Sequence, residues 1–386
     1  MIGRPDPEMR RYEMTRRNYV LSYTTPGASG LWDPEIVLGY GVTELAVPEP
    51  FGSDGETSSL SLKFANNLHL SPRSVIAVGT DVYRDRASYA EPDTSEVREQ
   101  ITNVGAFAQA RLQPLDPLRL SAGLRADRQE FEGLDGTEFD DSGLSGNVSI
   151  AYDITDALTL TAAASNVWGG ITLAENFILN PAWEYDPIDP VRARSQTVGF
   201  VYETGPFSLD GRVFRTDFDN AREASWRGGP SETIDFRSEG YSLGAGYRWA
   251  QGFARLSYTD SEISVDGDST SSYTIRAHGA PLGRIFNLEL AYWLAPIDVM
   301  LGGTLEAALK IKIPWTPARP LEAYEVVNVY AEYRPRGVDG LSLRLEVSNL
   351  FDETYAQRAT YGQDFEDIRP LAEPGRSFAL NARMEF

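Results

Sequence analysis

The chain has no cysteine. It therefore holds no disulfide, no thiolate metal site and no cysteine nucleophile. Histidine is nearly as scarce, with only His69 and His278 available as a base or an imidazole ligand. Lysine is rare beside arginine. Positive charge as a whole is in deficit: the formal net charge is −21. That balance argues against nucleic acid as a partner, because such binding rests on cationic neutralisation of phosphates. No stretch approaches the roughly 18 consecutive apolar residues of a membrane-spanning helix. The opening residues, MIGRPDPEMRRYEMTRR, lack the apolar core of a secretory signal peptide.

What is present is aromatic and alternating. There are 19 Tyr and 7 Trp, and aromatic residues make up 11% of the chain. Leu118, Leu120, Ala122, Leu124 and Ala126 alternate with Arg119, Ser121, Gly123, Arg125 and Asp127. Leu341, Leu343, Leu345 and Val347 alternate with Ser342, Arg344, Glu346 and Ser348, and Phe378, Leu380, Ala382, Met384 and Phe386 with Ala379, Asn381, Arg383 and Glu385. A helix would scatter these apolar side chains around its circumference, whereas a strand lines them along one face. Segments of about ten alternating residues are the signature of a transmembrane β-barrel, whose apolar band faces lipid while charge gathers on lumen and loops. A mean hydropathy of −0.32 suits such a wall.

The connections alternate too. Tight turns fall at 114–117, 153–156, 295–298 and 335–340, and long polar stretches at 86–100, 131–142, 168–193, 218–235, 263–282, 310–321 and 350–374. Short turns on one rim and long loops on the other complete the barrel pattern. Pairing strands around these turns gives about 17 strands. The whole of 1–386 reads as one all-β unit, an antiparallel transmembrane meander without a separate domain. Leu120, Leu124, Leu343, Leu345, Leu380 and Phe386 are expected to point outward.

The C-terminus carries a motif. Val347-Ser-Asn-Leu-Phe-Asp-Glu-Thr-Tyr355, a polar loop, Pro370-Leu-Ala-Glu-Pro-Gly-Arg-Ser-Phe378 and the terminal Phe386 together resemble the C-terminal box of TonB-dependent outer-membrane receptors. Two further stretches are similar to family segments: 104–127, which looks like a strand pair, and Asn180-Pro181 followed by 191–199, which looks like the loop entering a mid-barrel strand. The resemblance implies a plugged barrel of 22 strands. This chain would then form its C-terminal portion, about 17 strands beginning near the sixth, because nothing in it resembles the plug or the TonB-contacting segment.

By the same resemblance, the full-length parent sits in the outer membrane of a Gram-negative bacterium and imports a ferric siderophore, or haem, under TonB drive. Its other expected partners are outer-membrane lipids and the barrel-assembly machinery, with Phe378 and Phe386 as the assembly signal. No cofactor and no enzymatic activity are implied. A passive porin should lack the family box, and an inactive remnant should lack an encoded plug.

The residues themselves suggest where a ligand would meet the wall. The 168–193 segment carries Trp183, Tyr185 and Arg192, and the 218–235 segment carries Arg222, Trp226 and Arg227. Aromatic faces beside guanidinium groups suit an anionic, aromatic-rich chelate. The plainer reading is that the aromatics form interfacial girdles and the arginines pair with loop carboxylates. His278 could reach a vestibule as a haem ligand, but the 168–193 loop holds no histidine. His69 reads as structural. Gly240-Tyr-Ser-Leu-Gly244 matches a nucleophile elbow, yet it lies within an alternating strand and lacks base and acid partners. The acidic run at 131–141 lacks calcium-loop spacing and reads as solvated. No metal site is expected.

Overall fold

A computed structural model describes residues 11–25, 27–49, 52–174, 179–185, 188–223 (Glu223 by its backbone alone), 228–265, 267–269, 279–312, 319–338, 340–360 and 370–385. His278, Trp226, Arg227 and Phe386 lie outside them.

The strands are β1 (Arg11–Thr24), β2 (Pro34–Glu49), β3 (Ser53–Ser71), β4 (Ser74–Ala90), β5 (Val97–Leu115), β6 (Leu118–Glu132), β7 (Glu138–Thr155), β8 (Leu158–Gly170), the two-residue β9 (Trp183–Glu184), β10 (Val191–Thr204) and β11 (Phe207–Glu223). They continue through the two-residue β12 (Gly229–Pro230), β13 (Glu232–Trp249), β14 (Gly252–Val265), the two-residue β15 (Asp268–Ser269), β16 (Gly283–Leu294), β17 (Val299–Ala308), β18 (Tyr324–Tyr333), β19 (Leu341–Ser348) and β20 (Ser377–Met384). The seventeen long strands form one antiparallel meander, each bonded to the next long strand in the chain. Among the described residues β1 bonds only β2, and β20 only β19, so the sheet has two open edges. Every residue of β1 and β20 is exposed on both faces.

Register confirms the alternation. Leu124 stands opposite Gly146, Leu345 opposite Leu380 and Val347 opposite Phe378. Leu124, Leu345, Leu380 and Phe378 are exposed and Leu120 and Leu343 half-buried, so none is packed in a core. The opposite face is polar. On it Arg125 donates to Asp81 at 2.6 and 2.7 Å and to Asp127 at 2.7–2.9 Å, and Asn103 donates to Asp127 at 2.9 Å. These groups find partners on the lumen side because lipid could offer none.

The loop expectations need one correction. Three of the polar stretches, 86–100, 131–142 and 218–235, are mostly strand: β4 and β5 leave only 91–96 between them, β6 and β7 only 133–137, and β11 and β13 only 224–231. The ladder continues past the apolar band because backbone pairing does not depend on apolar side chains. The outward face turns polar there, with Arg128, Glu130, Glu132 and Asp140, while Phe131 and Ile101 face inward, so the apolar period changes face and escapes a hydropathy reading. Asp135 accepts from the Thr137 N–H at 2.9 Å, and Arg128 donates to Asp140. The acidic run thus shapes a hairpin. The elbow-like stretch 240–244 lies in mid-strand in β13, where Ser242 accepts from Arg212. On the short-turn rim, Asp33 sits 2.9 Å from His69 Nε2 and accepts from Asn67, so His69 fastens the 25–33 turn.

Candidate functional site

The largest buried cluster lies at the long-loop rim. Beyond β8 the chain turns at Gly170 with φ +70°, a conformation costly for any residue with a Cβ. A Cβ there would also stand 2.5 Å from Gln129 Oε1. That closeness lets Ile171 N–H donate to the Gln129 oxygen at 2.7 Å, and Ala174 N–H then donates to Glu99 at 2.9 Å. The 171–190 loop thereby folds back against β4, β5 and β6. Ile171, Ala174, Leu179, Trp183, Tyr185 and Ile188 are buried on Ala87, Tyr89 and Phe131. Full burial of a large apolar side chain stabilises by about 1.5–3 kcal/mol, so this loop is fastened by packing as well as by hydrogen bonds.

At its centre is Glu99, whose side chain is 0% exposed. It accepts from Arg222 Nη2 at 2.6 Å and Nη1 at 3.0 Å, from Ala174 N–H, and from the Tyr185 hydroxyl. Arg222, with a side chain 3% exposed, also donates to the Thr172 carbonyl at 3.0 Å. Its guanidinium carbon lies 5.5–5.6 Å from the ring centroids of Phe131, Trp183 and Tyr185. Burial pushes the Tyr185 phenol above its usual range, and the charge of Glu99 adds to the shift. The phenol is therefore held neutral as a donor.

A second link joins two loops. Trp183–Glu184 pairs in parallel with Gly229–Pro230, through Gly229 N–H to Ala182 O at 2.8 Å and Ser231 N–H to Glu184 O at 3.1 Å. Residues 182–184 and 229–231 thus meet at the rim.

Of the residues singled out in the sequence, Trp183, Tyr185 and Arg222 come together. They do so around a carboxylate, facing inward, and Arg222 does not present its charge to the loop surface. Arg192 is half-buried at the start of β10, opposite Trp168 and Asp219, with no ion pair among the described residues. Its neighbour Arg194 pairs with Asp219 at 2.7 Å. Phe378 stands exposed on the outer face of β20. Glu99 and Gln129 escaped the sequence reading. Glu99 fell inside a stretch taken as loop, although it shares the inward period of Ile101 and Asn103.

The C-terminal box has its own geometry. Asn349, at φ 51°, donates to the Glu353 carbonyl and accepts from Glu353 N–H, both at 2.8 Å, while its own N–H meets Asn328 Oδ1 at 2.9 Å. Asp352 accepts from Arg376 N–H at 2.8 Å, and a Cβ on Gly375 would approach that carboxylate to 2.8 Å. Asparagine, aspartate and glycine occur together because one turn needs all three.

The heme transporter BhuA of Brucella ovis is 26% identical over 402 residues, covering 100% of this chain and 60% of that protein. BhuA of Brucella suis is 25% identical with the same coverage. The chain thus spans less than two thirds of the length of these curated relatives. The FrpB iron transporter from Neisseria meningitidis (F3-3 variant) superposes with a TM-score of 0.83 at 17% identity, over 97% of this chain and 63% of that one. The copper transporter OprC does so with a TM-score of 0.79 at 16% identity, over 97% and 65%. These likenesses share the fold of the meander. The family described as TonB dependent receptor-like, beta-barrel matches residues 6–350, and with the inward-folded rim loop and the C-terminal turn in place, the chain belongs to the TonB-dependent receptor β-barrel family.

Proposed function

We propose that this chain forms much of the wall of an outer-membrane receptor that captures an anionic ferric siderophore at its long-loop rim and imports it under TonB drive. The observation that carries the reading is the meeting of the 171–190 and 224–231 loops. Residues 182–184 are bonded to 229–231, and Trp183 and Tyr185 are packed beneath, so the described parts of the two loops form one fastened platform at the mouth. Arg222 supports that platform from beneath, and a direct ligand contact by it would require the Glu99 pair to open. Arg192 and Arg227 are the cations assigned to the ligand. An anion approaching a chain of net charge −21 needs local positive charge to offset the field. Coupling to TonB and assembly of the parent into outer-membrane lipid by the barrel-assembly machinery, aided by Phe378 and Phe386, belong to the same reading.

Haem is the second reading, favoured by the similarity to the heme transporter BhuA of Brucella. Titration of the purified receptor with ferric siderophores and with haem, followed by tryptophan fluorescence, separates the two. Arg192→Ala and Arg227→Ala should each weaken ferric siderophore binding about 10- to 150-fold, the worth of one charge-assisted contact. Wild-type affinity in both variants would sink the arginine assignment, and a clear preference for haem would replace the siderophore.

A further inference from the structure

Towards the opposite rim, an open recess of about 480 Å³ lies on the inner wall. Its side chains include Arg73, Arg111 and Arg119, with the hydroxyls of Ser121, Ser149, Thr161 and Thr197 beyond them. Strand register explains the convergence. Arg111 stands opposite Val75 on one side and Ser121 on the other, and Arg119 is the next inward residue along β6. Arg73 lies in the turn that precedes Val75. Diagonal neighbours on one sheet face are within reach of long side chains.

The charges do not balance. Arg73 pairs with Asp116 at 2.6 Å and Arg119 with Asp153 at 2.6 Å. Arg111 has no hydrogen bond or ion pair among the described residues. Three guanidinium groups therefore face two carboxylates, leaving local positive charge on a protein of net charge −21. Arg111 is exposed on this wall, so an anion in the lumen can reach its guanidinium group. A guanidinium fork with several hydroxyl donors suits an oxyanion, because the fork binds two oxygens at once and the hydroxyls complete the shell.

The geometry points to an oxyanion-binding subsite on the inner wall, centred on Arg111 and taking a carboxylate or phosphate group. The site stands whatever the rim loops bind. Its anion comes either from a solute passing through the lumen or from a carboxylate on polypeptide lying inside the barrel.

Citrate is the probe. Isothermal titration of the detergent-solubilised protein should show saturable citrate binding, weakened about tenfold or more by Arg111→Gln and by a smaller factor by Arg111→Lys, which keeps the charge but loses the fork. That result assigns the site to a solute anion. If the wild-type protein takes no citrate but Arg111→Gln lowers the thermal midpoint and Arg111→Lys lowers it less, the anion is supplied by polypeptide. No citrate binding together with an unchanged midpoint in Arg111→Gln overturns the subsite. Ferric siderophore binding at the long-loop rim should be equal in wild type and Arg111→Gln. Its absence from both would defeat the receptor reading without touching the subsite.

Discussion

Replacing Glu99 by Gln tests whether the 171–190 loop is held by a buried charge pair or by apolar packing alone. The substitution keeps size and an acceptor but removes the charge that faces Arg222. With side chains 0% and 3% exposed, neither partner can turn to water. Breaking such a pair by removing one member costs about 3–5 kcal/mol, because the other charge is left buried and uncompensated. The cost should fall on the loop rather than on the sheet, whose ladder hydrogen bonds are made independently. Hydrogen exchange in detergent reads this directly. The amides of Ile171 and Ala174, which bond to Gln129 and Glu99, should exchange about a hundredfold to several thousandfold faster if local opening limits them. Amides in mid-β5 should be unchanged. Adding Arg222→Met to Glu99→Gln should restore much of the protection, a coupling that two unrelated defects would not show. Exchange at Ala174 within about threefold of wild type would refute the reasoning, as would equal acceleration throughout β5.

Three further outcomes follow from the same geometry. Gly170→Ala forces a Cβ into a positive-φ turn and onto Gln129; it should cost about 1–3 kcal/mol and expose 171–190 to limited proteolysis while leaving the strands intact. The Tyr185 phenol is raised by burial and by Glu99, so the fold favours its neutral form. That contribution is full below the ordinary tyrosine value near 10 and fades only as pH climbs through the higher folded value. Ultraviolet titration should show one late-ionising tyrosine that Tyr185→Phe removes, and loop protection should be flat between about pH 6 and 9. Deleting Phe386 from the full-length parent should lower its level in the outer-membrane fraction without changing ligand affinity per folded molecule, and an unchanged level would count against its role as an assembly signal.

Much of the wall was legible before any coordinates. Period 2 in Leu118–Leu124 or Phe378–Met384 assigns one face to lipid, since a one-residue slip would place arginine there. The turns at 114–117 and 295–298 set antiparallel order, and the C-terminal box located the final hairpin. Where β4–β7 rise past the apolar band, the outward face turns polar and the apolar residues move to the inward face, so Glu99 and Phe131 were lost in apparent loops. Only the tertiary structure decided what Arg222 does. Its partner lies 123 residues away, and no local pattern distinguishes a guanidinium destined for a ligand from one destined for a buried carboxylate. The same holds for Arg111, whose sequence surroundings are those of any inward strand residue. It is the pairing of β4, β5 and β6 that brings it to the same recess as two arginines already paired elsewhere. Alternation along a chain is a local property fixed by backbone geometry, whereas the balance of charge at a point in space is summed over strands that meet only when the sheet has formed.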